Sequence, residues 1–472
     1  ITSPDTATDV EDAGFFAKTG YELKRLYYSF IIDYNQVGNV AEEGDTNPTI
    51  TLWVGTGRDQ ANVIKAMIDE TFTNETGVNV NMQLVDMNTL LRAELAGEGP
   101  DVAIQVANTN GIAGAVLNTG NDTPVNYGLR NAVLDLSQFE DIDEVTSRFY
   151  DSALTAFSFD GAIYGLPETQ TFPMMFYRKD MLAEVGITEP PETWDELIDM
   201  LPAIQRKYMQ PGLVLPGVVA TTSATSGAIS ISPATEVGHT FALLMLQSGE
   251  NYYNEEQTAT TFDTQAAVDA FATWTDFYNV YKFDQTYDAF TRFRTGEAPI
   301  VIQNYCSFYN QLNVAAPEIK GLWDFCPVPG TEREDGTISH AANSNGAGAI
   351  ILSDCKDVEA AWDFIKWFTE TDTMVEYGQT VEGVMGPLGR FESANVEALK
   401  QLNWSNKDLE KILSQMNELE EIPIIASSYV VTRSIMNAFR TVVNDKENPR
   451  ETLRWYNIDI NREITRKREN LG

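Results

Sequence analysis

Between Asp160 and Leu197 the chain reads DGAIYGLPETQTFPMMFYRKDMLAEVGITEPPETWDEL, and few folds accommodate that order. Asp160-Gly161 is a tight turn. Ala162 to Gly165 reads as a short strand, and Pro167, with no N–H to give to a ladder, ends it. Leu166 to Gln170 is then a polar break, followed by an apolar strand over Met174 to Tyr177 and a helix from Lys179. After Gly186 a Pro-Pro-Glu-Thr-Trp run opens another helix, with Thr193 as N-cap and Glu196 completing a capping box. Two strands this close, parted by polar residues, set one chain crossing between two sheets, with Glu168, Thr169 and Gln170 at the crossing. A chain of 472 residues is too long for one ordinary core, so two or more domains are expected.

Upstream, residues 11–34 carry Phe15, Leu23, Leu26, Tyr27, Phe30, Ile31 and Tyr34 at helical spacing, which predicts one or two helices broken near Gly20. Residues 38–48 form an acidic, polar linker. Thr49 to Val54 (TITLWV) is β-branched and reads as a buried strand. It opens into Gly55-Thr56-Gly57-Arg58-Asp59-Gln60, a helix over 61–73 and a second, alternating strand over 77–85. That order makes a parallel unit with a right-handed connection. Open α/β sheets bind ligands at the carboxyl ends of such strands, so Thr56, Arg58, Asp59 and Gln60 are candidate contacts. For Arg58 and Asp59 the alternative is a plain surface pair. GTGRDQ lacks the third glycine of a dinucleotide fingerprint.

A strand over 102–105 ends in a polar loop at Asn108, which is either a ligand contact or an asparagine tolerated in a turn. Further on, the pattern predicts a helix running to about Pro211, a Ser/Thr/Gly loop over 221–232 and a helix over 233–246 with Glu236 and His239 in its first turns. The aromatic stripe of a helix over 263–281 reads as core.

Several of these stretches fall in a familiar order. They are DG-x-YGLP with its polar crossing, YRKDML, PPETWDEL, Gly99-Pro100-Asp101-Val102, the FTRFRTGEAPIVIQ run from Phe290, KDVEAAWDFIKWFT from Lys356 and EIPIIASSYVVTR from Glu421. Together they resemble the extracellular solute-binding proteins of ABC importers, in particular the maltose-binding-like, sugar-binding family. The likeness runs from residue 49 to about 460.

It implies an α/β, two-lobed periplasmic-binding-protein type II fold, each lobe a mainly parallel sheet flanked by helices, here with an extra N-terminal helical segment. The implied division is 1–48 as extension and linker, 49–164 with 339–385 as one lobe, and 165–338 with 386–472 as the other, crossed near 165, 338 and 386. It also implies a cleft that shuts on its ligand. To the contacts above the resemblance adds Glu168, Thr169 and Gln170 at the crossing, Glu236 and His239, Asn304 and Tyr305 after the FTRFRTGEAPIVIQ run, Asn343, Ser344 and Asn345, and Tyr429 with Arg433. Tyr305 and Tyr429 stand where family members stack an aromatic on sugar, and Trp53 is either a third such ring or part of the core. Arg433 bonds ligand hydroxyls or pairs with a neighbouring carboxylate. The implied partners are a small carbohydrate and the membrane subunits of a permease. The protein is expected to be extracellular, surface-anchored or periplasmic, and a monomer, with no cofactor.

Charge and residue counts narrow the alternatives. A formal net charge of −37 repels phosphate backbones, so nucleic acid is a poor partner. Two histidines exclude a multi-histidine metal site, and Cys306, Cys326 and Cys355 form no CxxC pair, so free thiols are expected. No apolar run reaches the ~18 residues of a spanning helix. There is no G-x-S-x-G, HExxH or P-loop. A surface glycan-binding protein without a transport role, or a two-domain glycosidase, stays open beside the importer reading.

Overall fold

The computed structural model describes residues 36–38, 47–107, 124–213, 218–222, 229–233, 239–285 and 287–469. The N-terminal helices expected over 11–34 lie outside them. Two sheets carry the fold. Their strands are β1 (Gln36–Gly38), β2 (Thr49–Val54), β3 (Asn79–Leu84), β4 (Val102–Ala107), β5 (Leu166–Thr171), β6 (Pro173–Arg178), β7 (Ile300–Asn304), β8 (Trp323–Cys326) and β9 (Asn345–Ile351). The first sheet runs β1-β3-β2-β4-β9-β5 and the second β7-β6-β8. The helices used below are α1 (Arg58–Met67), α2 (Trp194–Gln205), α3 (Gln265–Asn279), α4 (Tyr305–Ala315), α5 (Val358–Phe368), α6 (Thr371–Met385), α7 (Ser428–Asp445) and α8 (Pro449–Glu469).

Each sheet has its own core. Ile50, Leu52 and Val54 of β2 pack with Ile64, Phe72, Trp362, Phe364 and Phe368. Met174 and Phe176 of β6 pack with Trp194, Phe241, Trp274, Phe277 and Phe439. The α3 stripe is core as its spacing indicated. Trp274 lies flat on Phe439 at 4.2 Å, and Thr264 caps the helix by accepting from the Ala267 N–H. Thr193 likewise accepts from the Glu196 N–H of α2. The Glu196 carboxylate, however, reaches the Glu192 N–H at 2.7 Å, one residue before the cap of the expected box.

The mainly parallel sheets need correction. Among the strand pairs of the described residues, β2–β3 and β2–β4 are the parallel ones, and β6 runs antiparallel to both its neighbours. The reason is insertion. β7 and β8 are joined through α4 as a crossover pair would be, but β6 lies between them, so neither pairs with the other. In the first sheet β9 is inserted in the same way, antiparallel to β4 and β5. Hydrophobic period reports burial and is silent on which distant strand slots between two others.

Pro167 does not end a strand; it sits inside β5. Two features accommodate it. β5 is the last strand in the sheet order, and its pairing with β9 slips beside the proline. Thr169 faces Ala347 and Pro167 faces Gly348, leaving Glu168 as an extra, bulged residue. Gly346 permits this close pairing, since a Cβ there would collide with the Thr169 carbonyl oxygen.

Because β5 belongs to the first sheet, the chain changes sheets at Phe172, later than the expected 165. It returns between Ala342, in the second core, and Asn345, the start of β9. It leaves again over 394–399, where Ala394 and Ala398 lie in the first core and Val396 and Leu399 in the second. The loop expected over 221–232 contains a hairpin of Val218–Thr222 and Ile229–Pro233, and the helix expected from 233 is described over His239–Gln247.

Candidate functional site

Antiparallel insertion gathers four strand ends on one edge of the first sheet. Ala347 of β9 is flanked by Ala107 of β4 on one side and Thr169 of β5 on the other. Asn345 faces Thr171, and Gly346 faces Gln170. The carboxyl ends of β2, β4 and β5 and the start of β9 therefore open in the same direction. This edge is also where β5 passes through Phe172 into the second sheet. There Asn304 pairs with Pro173, and the Tyr305 N–H donates to the Phe172 carbonyl over 3.0 Å.

The side chains at this junction are polar and largely enclosed. Gln170 is 2% exposed, and its Nε2 donates to Ser152 Oγ at 3.2 Å and to Ser344 Oγ at 3.0 Å. The Thr169 hydroxyl accepts from the Ala347 N–H. The Ser344 N–H donates to Glu421 Oε1 at 2.6 Å. Among the described residues, Gln170 Oε1, Asn304 Oδ1, Asn343 Oδ1 and the Tyr305 hydroxyl are buried without a hydrogen-bond partner. That is an acceptor-rich lining, and buried acceptors call for donors.

Burial also shifts the carboxyls. It pushes Glu168 up to about 8, against a smaller opposing effect of the Gln105 N–H. It pushes Glu421 up to about 8, against the bonds from Ser344, and Glu392 up to about 7. Among the described residues no group of three or more His, Cys, Asp or Glu side chains could hold a metal ion. The three cysteines are free.

The expected contacts divide into groups. Glu168, Thr169, Gln170, Asn304, Tyr305, Asn343, Ser344 and Asn345 come together at the junction. Thr56 lies after β2, its hydroxyl bonded to Gln60 Oε1. Arg58, Asp59 and Gln60 form the first turn of α1, which starts earlier than expected, and Asp59 borders a groove between α1 and α6. Asn108 and Glu236 lie outside the described residues, and of His239 only the backbone, opening a helix, is described.

Tyr305 is not an open platform. It is 1% exposed, its ring stacked on Phe172 at 4.5 Å and tilted against Trp404 at 5.7 Å. As the first residue of α4 after β7 it points into the junction's core. Tyr429 is the exposed ring, at 36%. The Arg433 guanidinium lies 5.9 Å and Lys467 Nζ 5.8 Å from its centroid. Among the described residues the partner of the Arg433 guanidinium is the Tyr429 ring.

A groove of about 570 Å³ runs beside that ring, lined by Leu129, Phe159 and Asp160 from the first body and by Ile425, Ser427, Lys467 and Arg468 from the second, among others. Next to it Ile424 inserts between Val125, Ala156 and Phe157. Sequence reading missed Ser152, Glu392, Glu421 and Lys467. The first three carry no local pattern, and Lys467 sits in a basic run, Arg466-Lys467-Arg468, in the last turn of α8.

Residues 67–399 match the family model described as bacterial extracellular solute-binding protein. The first curated relatives, binding proteins of Brucella abortus and Brucella suis, are 42% identical over 55 residues, spanning 12% of this chain and 13% of theirs. The arabinooligosaccharide-binding protein of Halalkalibacterium halodurans is 22% identical over 326 residues, 64% of this chain and 65% of that one. The sugar-binding protein MalE of Xanthomonas citri superposes with a TM-score of 0.68 at 16% identity, covering 89% of this chain and 98% of that chain. The two-lobed α/β fold is thus shared.

Proposed function

The chain belongs to the bacterial extracellular solute-binding proteins, and from that premise we propose that it captures a carbohydrate, an oligosaccharide, for an ABC importer. The observation that carries this reading is the polar junction between the two sheets, where the amide oxygens of Gln170, Asn304 and Asn343 are buried without a hydrogen-bond partner among the described residues. Hydroxyl groups supply the donors such acceptors need, and an exposed ring suits the C–H face of a sugar. The name of the Halalkalibacterium relative agrees with an oligosaccharide.

In this reading the two bodies are lobes that turn about the crossings at Phe172, 343–344 and 395. The ligand bridges Thr56, Gln60, Gln170, Asn343 and Asn345 of one lobe and Asn304, Tyr429 and Arg433 of the other. Moving from mostly open to mostly closed takes about 5.5 kcal/mol of differential binding. Hydrogen bonds at about 1 kcal/mol each, with stacking, reach that sum. The closed monomer then docks on permease subunits at the outer face of the membrane. Calorimetry over a panel of mono- and oligosaccharides tests the reading. Saturable binding of an oligosaccharide is expected, and binding of a peptide or polyamine with no sugar binding would overturn it.

A further inference from the structure

Two bulges meet across β9. On one side, Ala103 faces Ile350 and Val106 faces Gly348, so Ile104 and Gln105 together oppose Ala349. On the other side Glu168 is the extra residue of β5. The two bulged residues are bonded to each other over the strand between them, the Gln105 N–H donating to Glu168 Oε1 at 2.8 Å. Gln105 has φ of 60°, the left-handed region that a residue with a side chain rarely enters. Its side-chain Nε2 points to the Tyr377 hydroxyl of α6 at 3.5 Å. Glu168 is 1% exposed.

The geometry points to Glu168 as a positioning residue of the binding site rather than a ligand contact: its carboxyl holds the Gln105 bulge and thereby sets how Val106 and Ala107 reach the polar edge. A bulge leaves one N–H outside the ladder, and a buried N–H needs an acceptor. With the acceptor gone, the left-handed turn at Gln105 loses what holds it, and β4 straightens. A one-residue slip in a strand exchanges the faces of the residues beyond it. Ala107, the neighbour of Ala347 in the edge row, then no longer ends where the junction needs it.

This inference rests on the sugar-binding reading, and the test separates the two. Binding of the unaltered chain to the oligosaccharide that the panel identifies is measured by calorimetry, beside Glu168→Ala, Glu168→Gln and the double variant Glu168→Ala with Gln105→Gly. Glu168→Ala is expected to weaken binding about tenfold or more. Glu168→Gln keeps an oxygen acceptor and is expected to stay within about twofold. The added glycine, free to take positive φ, is expected to recover part of the loss. Hydrogen exchange over residues 102–107 supplies a readout that needs no ligand: faster exchange is expected in Glu168→Ala and restored protection in Glu168→Gln.

If no sugar binds the unaltered chain, the functional reading fails while the exchange result still judges the bulge. Unchanged exchange in Glu168→Ala, or equal loss of affinity in the alanine and glutamine variants, would overturn the positioning role.

Discussion

The backbone N–H of Ser344 donates to the Glu421 carboxyl over 2.6 Å, tying the second crossing to the segment that precedes α7. Gln170, on the first crossing, donates to the hydroxyl of the same serine. On the third crossing the Ala394 N–H donates to the Glu168 carbonyl, and the Gln170 N–H to the Glu392 carbonyl. All three crossings are therefore laced together through Gln170 and its neighbours, by the Ser344 hydroxyl and the Glu392 and Glu168 carbonyls.

Those glutamates make stability depend on pH. Burial raises Glu168 and Glu421 from 4.5 to about 8 and Glu392 to about 7. Between the unfolded and folded values the native state keeps protons that the unfolded chain has released, so stability falls as pH rises across that window. The thermal midpoint is expected to drop by several degrees between pH 5 and pH 8.5 and to level off above. Glu168→Gln combined with Glu421→Gln should flatten the curve; a midpoint that rises with pH would refute the assignment.

The two family-position tyrosines should behave differently. Tyr429, half open beside Arg433 and Lys467, is the ring to which the proposed function assigns stacking on sugar. Tyr429→Ala is expected to weaken sugar binding about tenfold, from about 1–1.5 kcal/mol of stacking, with little change in melting temperature. Tyr305, stacked on Phe172, is packing, and Tyr305→Ala should destabilise the protein by about 3–5 kcal/mol. Denaturant titration and calorimetry on both variants distinguish the roles.

Gln247 is a buried polar node of the second body. It is fully buried, accepts from Trp194 Nε1 at 2.8 Å and Thr331 Oγ1 at 2.9 Å, and donates to the carbonyls of Pro329 and Ala341. Gln247→Leu strands these partners, each at about 1–3 kcal/mol. A loss of at least 3 kcal/mol in urea unfolding is expected; a neutral effect would mean the partners find water.

Gly346 lets β9 lie close against β5. Gly346→Ala drives a Cβ into the Thr169 carbonyl and is expected to destabilise the protein by about 1–3 kcal/mol. Because Gln170 and Asn345 share that edge, sugar affinity should fall with it. Retained affinity alongside a lowered melting temperature would separate the edge pairing from the site.

Much of this was legible in order of appearance. The β-α-β start, the crossing near Glu168–Gln170, the Thr193 cap and the α3 stripe are local patterns of period and cap chemistry. Even the polar character of the crossing could be read residue by residue. Pro167 misled because its missing N–H matters only where a partner strand asks for it, and β5 slips past Gly348 at that point. Tyr305 misled for a related reason: its place in the chain is that of a stacking ring, yet Phe172 already occupies its face.

What the amino-acid order determined by itself was most of the strands and helices, though not β5 or the hairpin strands of 218–222 and 229–233, that more than one core forms, and that polar side chains sit near the place where the chain passes between sheets. Those follow from side-chain period and capping, interactions within a few residues. Tertiary structure alone decided that β6 and β9 insert antiparallel, that Glu168 spends its carboxyl on the Gln105 N–H, and that Glu421 answers Ser344. Each of these joins residues far apart in the chain, and a buried donor takes whichever acceptor folding brings to it.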